Sequence, residues 1–407
     1  MLNRSPGEEL LNRLQKLAEC SEPGPGLTRL PFTPQHDQAR ELISSWMHQA
    51  GLNVRLDAAG TLIGRKNGPD GAPTLAMGSH QDSIRHGGMF DGMLGIALPI
   101  LVLEGLKEYE LPFSVEVMAF ADEEGVRFPT ALMGPRAIAG TFDLDCLELK
   151  DRDGISLKKA LNDFGCQAEE IPQLVRKPED FLGFVEIHIE QGPVLEDMER
   201  GLGVVTSICG IERWKVSLFG KAGHAGTTPM ELRKDALAGA AEVALEVEKV
   251  CRATQGAVGI VGRIETFPNV VNVIPAQVDF TIELRAGEDS VRSKISSQIA
   301  NATSRIALDR QLKLDMEKTY EQKAVPCDEA LSGALANAVL EVQGDAPKLM
   351  SGATHDASAM ADVCPIAMLF VRCTDGLSHH PDEAMTAQDG ALAIATLECF
   401  LKKLADN

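Results

Sequence analysis

Ser114-Val115-Glu116-Val117-Met118-Ala119-Phe120-Ala121-Asp122-Glu123-Glu124-Gly125 decides how this chain is read. Its first eight residues are a short, mostly apolar run, the pattern of a strand buried on both faces. Three acids and a glycine follow. A solvated acidic turn would have the same composition, but its position directly after a buried strand weakens that reading. In open α/β sheets, ligands bind outside the carboxyl ends of the strands. The stretch therefore predicts an α/β fold and a site at this turn. Two adjacent carboxylates on a tight turn point in different directions, so one is available to bind a metal while the other serves as a general base.

Working outward, other chemistry-bearing residues stand in the same relation to apolar runs. Leu75-Ala76-Met77 runs into Gly78-Ser79-His80-Gln81-Asp82, and Phe90-Asp91-Gly92 opens an apolar helix over roughly 93–107. Phe184-Val185-Glu186-Ile187-His188 leads to Glu190-Gln191-Gly192, and Pro365 to Val371 leads to Ser378-His379-His380-Pro381. Three imidazoles (His80, His188, His379) and the carboxylates Asp91, Glu123 and Glu124 are what two adjacent divalent cations require if one carboxylate bridges them. Asp82, two residues after His80, is placed to hydrogen-bond the imidazole's other nitrogen and fix its tautomer. His36, His48 and His86 lack such partners and read as packed or surface histidines.

The composition sets outer bounds. At 407 residues the chain exceeds one typical core, so two domains are expected. Residues 210–323 read as strand, helix, strand, strand, helix, strand without metal-type residues, an insertion between 1–209 and 324–407, which fold together. A formal charge of −20 excludes a nucleic-acid partner. It also means that a carboxylate-bearing substrate needs a local cation. Arg285, at the end of a strand alternating through Val278, Phe280, Ile282 and Leu284, offers a planar fork for one. Nine cysteines without a C-x-x-C pair read as reduced thiols, and no signal-peptide pattern or membrane-length apolar run is present, so a cytoplasmic protein is expected. There is no G-x-S-x-G elbow and no Walker loop. Gly201-Leu202-Gly203-Val204-Val205 is half a dinucleotide fingerprint and is read as a turn.

These stretches resemble the hydantoinase/carbamoylase family of two-metal amidohydrolases, relatives of the aminoacylases. The resemblance spans Gly78 to Glu383 and is most specific over Glu186–Glu196, His224–Ala236, Asn272–Arg285 and Ser351–Ala357. It implies an α/β catalytic domain of the phosphorylase/hydrolase-like metallopeptidase type, with an inserted α+β, ferredoxin-like domain for dimerisation and closure. It implies His80, Asp91, Glu124, His188 and His379 as ligands of two divalent cations, with Asp91 bridging. Zinc or manganese would fill the site, or else cobalt or nickel. Glu123 would be the general base. His224 would reach a partner subunit's site and polarise the scissile carbonyl, in a homodimer. Gln191, Asn272, Arg285, Gly352 and His355 match substrate-binding positions, and His380 is only a neighbour of the ligand. The implied reaction is hydrolysis of an N-carbamoyl-L-amino acid to amino acid, carbon dioxide and ammonia, with allantoate, ureidoglycolate or an N-acyl amino acid as the alternative substrate. A non-catalytic binding protein on the same scaffold is the rival of another class; the complete ligand set and Glu123 argue against it. Pro135, where the family usually has Ser, and Val371-Arg372-Cys373-Thr374-Asp375 depart from the pattern and bear on substrate choice.

Overall fold

A computed structural model of the protein describes residues 4–406. The chain divides into two compact units. One runs up to Thr206 and takes in Cys327–Leu349 and the chain from Thr354; the other is Ser207–Pro326 with Met350–Ala353. The sequence reading bounds the middle segment at 210 and 323; Ser207–Cys209, Ala324–Pro326 and Met350–Ala353 group with it here. Here the Ser351 carbonyl accepts the Cys209 N–H at 2.9 Å and the Gly352 carbonyl accepts Arg285.

In the first unit the strands lie in the order Asn53–Leu56, Leu62–Lys66, Ser114–Phe120, Thr74–His80, Phe181–Ile189, Ile366–Val371, Leu202–Ile208. The four from Ser114–Phe120 to Ile366–Val371 are mutually parallel, and the outer ones pair antiparallel. Every residue of Thr74–His80 and Ser114–Phe120 is buried, as expected of parallel strands covered on both faces. Leu94–Gly105 is a helix with no polar side; Leu94, Ile96, Leu98 and Ile100 all lie in the core with Met77, Val117 and Ile187. Because the central strands are parallel, their carboxyl ends share one edge of the sheet, and there the chain delivers His80, Glu123, Glu124 and His188.

Leu202–Ile208 is a strand and not the turn read from Gly201-Leu202-Gly203. A Cβ on Gly203 would lie 2.2 Å from a Leu349 methyl, so this glycine marks close packing and not a bend.

The second unit is an antiparallel sheet in the order Lys313–Gln322, Gly210–Phe219, Gln277–Ala286, Ala257–Phe267. Burial alternates strictly along Gln277–Ala286. Its inner residues Val278, Phe280, Ile282 and Leu284 pack with Val243 and Val247 of helix Ala236–Arg252 and Ile295 and Ile299 of helix Asp289–Asp309. Ala257–Phe267 is an edge strand that shows Val258, Ile260 and Ile264 to solvent. Among the described residues no helix is long and apolar enough to cross a membrane, and all nine cysteines are free thiols.

Candidate metal centre

His80 ends its strand, and its Nδ1–H donates to the Asp82 backbone carbonyl at 3.0 Å. The His188 Nδ1–H donates to the Ile189 carbonyl at 2.9 Å. A carbonyl only accepts, so in both rings Nδ1 carries a proton, and Nε2 is the atom that offers a lone pair when the ring is neutral. Both Nε2 atoms face the same oxygen, Asp91 Oδ1, at 3.3 Å and 3.1 Å. The other oxygen, Asp91 Oδ2, lies 3.3 Å from His379 Nε2, which is 3.7 Å from Glu124 Oε1. Facing lone pairs repel unless a proton or a metal cation lies between them. Two donor triplets result, His80–Asp91–His188 and Asp91–Glu124–His379, each with ligand atoms within 4.8 Å of one another and sharing Asp91. Imidazole nitrogen and carboxylate oxygen in this mixture suit zinc, manganese, cobalt or nickel. Glu123 belongs to neither triplet but groups with His80 and Glu124.

The turns are tightly built. Gly92 has φ +72, and a Cβ there would meet the His80 carbonyl at 2.5 Å and its ring at 2.6 Å; only glycine lets the Asp91 loop close on His80. Asp82 acts differently from the expectation. Its carboxylate lies 3.6 Å from His80 Nδ1 and instead accepts the backbone N–H groups of Glu123 and Glu124 at 3.1 and 3.2 Å. It therefore fixes the acidic turn, while its carbonyl fixes the imidazole.

Two supporting residues, Glu383 and Glu186, were given no role in the sequence reading. Glu383 Oε1 accepts the N–H groups of Phe90 and Asp91 at 2.9 and 3.1 Å, and its other oxygen accepts the Ser378 hydroxyl at 2.9 Å. Gln191 Nε2 donates to Asp91 Oδ2 at 2.9 Å. Gln191 and His379 hold φ of 57 and 55, a left-handed backbone that costs on the order of 1 kcal/mol or more in a non-glycine residue. Glu186 accepts Ser79 Oγ at 2.7 Å and the Ala357 N–H at 2.8 Å. His355, expected at a substrate position, is buried edge-on to His188 with ring centroids 4.6 Å apart, within a Glu186–His188–His355 cluster. His36 is a core histidine stacked on Phe164, and His48 and His86 are exposed.

Elsewhere in this unit a buried carboxylate has basic partners: Glu116 pairs with Arg65 at 2.9 Å and Arg176 at 2.6 Å. Among the described residues Asp82, Asp91, Asp122, Glu123, Glu124 and Asp356 pair with no Lys or Arg. Burial, then the Asp91 charge, pushes Glu124 up to about 7. Burial raises Glu123 well above the usual carboxylate range; His80 opposes this and Glu124 adds to it. At Asp91 burial is outweighed by His188, His379 and His80, which hold it well below that range. At His80 burial is likewise outweighed, by Asp91 and then Glu123, so its pKa rises; Asp91 also raises His379. An acid-rich buried cluster without basic partners is resolved by bound cations.

A pH dependence follows. Glu124, His80 and His379 all have folded pKa values above their ordinary 4.5 and 6.5. Each stabilises the metal-free fold at pH below its unfolded value and loses that contribution as pH rises through its folded value. Asp91 contributes the opposite way, but its share is already complete above its unfolded value. Metal binding needs these groups deprotonated. The gap in melting temperature between Mn2+-loaded and metal-free protein is expected to widen from about pH 5 to about pH 8. Calorimetry with and without Mn2+ measures it, and a gap that narrows with rising pH contradicts the arrangement.

The remaining predicted residues lie in the second unit. His224, on the two-residue strand Gly223–His224, pairs with Val273, and the Asn272 carbonyl accepts the Ala225 N–H at 2.9 Å, so His224 and Asn272 are neighbours. Both are exposed. Arg285 donates through Nε and Nη2 to Glu283 Oε1 at 2.8 and 2.6 Å and through Nη1 to the Gly352 carbonyl at 2.5 Å. Arg285 and Gly352 are thereby brought together.

Residues 74–403 match Peptidase family M20/M25/M40. The chain is 41% identical over 406 residues to an N-carbamoyl-L-amino acid amidohydrolase of Geobacillus stearothermophilus, covering 98% of this chain and 99% of that one. It is 40% identical over 429 residues to an allantoate deiminase of Arabidopsis thaliana, covering 96% and 81%. A crystal structure of an amidase of the hydantoinase/carbamoylase family from Burkholderia multivorans superposes with a TM-score of 0.92 at 33% identity, covering 99% of each chain.

Proposed function

The chain belongs to peptidase family M20/M25/M40, and from that premise we propose that it is a two-metal hydrolase of N-carbamoyl-L-amino acids. It is a hydrolase of carbon–nitrogen bonds in linear amides, as its amidohydrolase relatives are. The observation that carries the two-metal reading is the pair of donor triplets sharing Asp91, with Glu123 beside them and outside both. When bound, the cations would lower the pKa of a water and polarise the scissile carbonyl. His80, Asp91 and His188 would hold one ion, and Asp91, Glu124 and His379 the other; we favour zinc or manganese.

The chain's own residues supply the rest. Glu123 takes the proton of the attacking water and passes it to the departing nitrogen. We assign His224 to donate a hydrogen bond to the developing oxyanion, and Asn272 and Gln191 to bind the polar groups of the substrate. Arg285 pairs with the substrate carboxylate, which takes the place now held at Nη1 by the Gly352 carbonyl. His355 is better placed to orient His188 than to touch substrate. Self-association through the exposed apolar edge strand Ala257–Phe267 fits a homodimer, since an open edge is a template for pairing; light scattering that finds only monomer removes it. Nine free thiols suit a reducing compartment such as the cytoplasm.

The test is a substrate panel on Mn2+-reconstituted protein: several N-carbamoyl-L-amino acids, allantoate, ureidoglycolate and N-acetyl-L-amino acids. The highest kcat/KM is expected on an N-carbamoyl-L-amino acid. Failure to turn over any N-carbamoyl-L-amino acid, with turnover of allantoate, transfers the assignment to the second reading, which the 40% identical allantoate deiminase favours. In the same assay Arg285→Lys is expected to raise KM about tenfold or more, a charge-assisted hydrogen bond being worth roughly 1.5–3 kcal/mol.

A further inference from the structure

Arg29 is wholly buried, at 0% exposure, and forms no ion pair among the described residues. Burying a cation without a counter-ion is costly, so a fold retains one where its directional donors are used. Here four of its five guanidinium N–H donors are directed. Nε donates to the Gln81 carbonyl at 2.6 Å, and Nη1 donates to the Leu17 and Cys20 carbonyls at 2.7 and 3.1 Å. Nη2 turns to the Met93 sulfur. The Arg29 backbone N–H donates to Ser83 Oγ at 2.9 Å, and its carbonyl accepts the Ser83 N–H at 3.0 Å. Gln81 follows the ligand His80. Met93 follows the ligand Asp91 by two residues and immediately precedes helix Leu94–Gly105. Leu17 lies in the last turn of helix Pro6–Ala18, whose carbonyl end favours a cation. Burial lowers the Arg29 pKa to about 10, which leaves it charged at neutral pH.

We propose that Arg29 is a positioning residue of the metal centre. It ties the His80 turn and the start of the Asp91 helix to helix Pro6–Ala18. An N-terminal segment that supplies no ligand thus sets the affinity for the cation. The inference rests on the metal reading above. Mn2+ titrated calorimetrically into the chelator-stripped full chain tests it. Arg29→Lys keeps the charge and loses the fork; it is expected to weaken Mn2+ binding about 10–100-fold, the usual cost of losing support behind a ligand, while kcat at saturating Mn2+ falls much less. Ser83→Ala loosens the same tie more gently and is expected to weaken binding in the same direction, which keeps the test open should Arg29→Lys not fold. Leu335→Ala, in the core of the same unit, lowers the melting temperature without touching the tie and is expected to leave the Mn2+ Kd within about threefold. Parent-like affinity in both tie variants overturns the proposal, as does equal weakening in Leu335→Ala. A parent protein that takes up no Mn2+ overturns the metal reading itself.

Discussion

Glu123→Gln is expected to cut kcat by about 10²–10⁴-fold, the range that a positioned general acid–base group contributes, with metal content unchanged. The substitution nearly preserves volume, which matters because Glu123 is only 8% exposed on a turn whose N–H groups are held by Asp82. It leaves both Asp91-sharing triplets intact, since Glu123 is a member of neither. What it removes is a basic oxygen. Burial pushes the Glu123 carboxyl well above the usual range in the metal-free protein, and adjacent cations would draw it back toward ionisation. A carboxyl tuned between those influences suits both the taking and the giving of a proton. Turnover of an N-carbamoyl-L-amino acid, read beside metal content by atomic absorption, separates the outcomes. Activity within tenfold of the parent at full metal loading would falsify the assignment of Glu123 as the base.

Asp91→Asn is expected to fail at the earlier step, losing bound metal and leaving activity below about 1% of the parent because metal-assisted water activation goes with it. Asp91 presents Oδ1 to His80 and His188 and Oδ2 to His379, so both triplets depend on it having two anionic oxygens. An amide offers one oxygen and an NH2 whose protons point at whatever it faces. The neighbouring donor Gln191 Nε2 is arranged for an acceptor and would also be left opposing that group. Metal stoichiometry after dialysis is the measurement; a variant that keeps two equivalents would remove Asp91 from the bridging position.

What could be read from sequence were residues whose signal is local. His80, Glu123, Glu124 and His188 each follow an apolar run, and parallel strands carry such ends to one edge. Glu383 gave no comparable signal. It acts by accepting the N–H groups of Phe90 and Asp91, 293 and 292 positions away, and in sequence it is one more acid in a polar loop. The contact of His355 with His188 is likewise tertiary and left no local signal. A residue two positions after a histidine, as Asp82 is, offers both a carboxylate and a carbonyl, and spacing does not choose between them. Leu202–Ile208 was hidden by Gly203, whose lack of a side chain serves close packing on Leu349 in a way that resembles a turn when only its neighbours are seen.

The order of the ligands along the chain gives the shared Asp91 a further meaning. His80, Asp91 and His188 all precede the unit formed by Ser207–Pro326, whereas Asp91 and Glu124 must wait for His379 beyond it. A cut anywhere in that unit would leave one triplet whole on a single fragment and split the other across two. On the proposed ligand set, that unit interrupts one donor triplet and leaves the other contiguous.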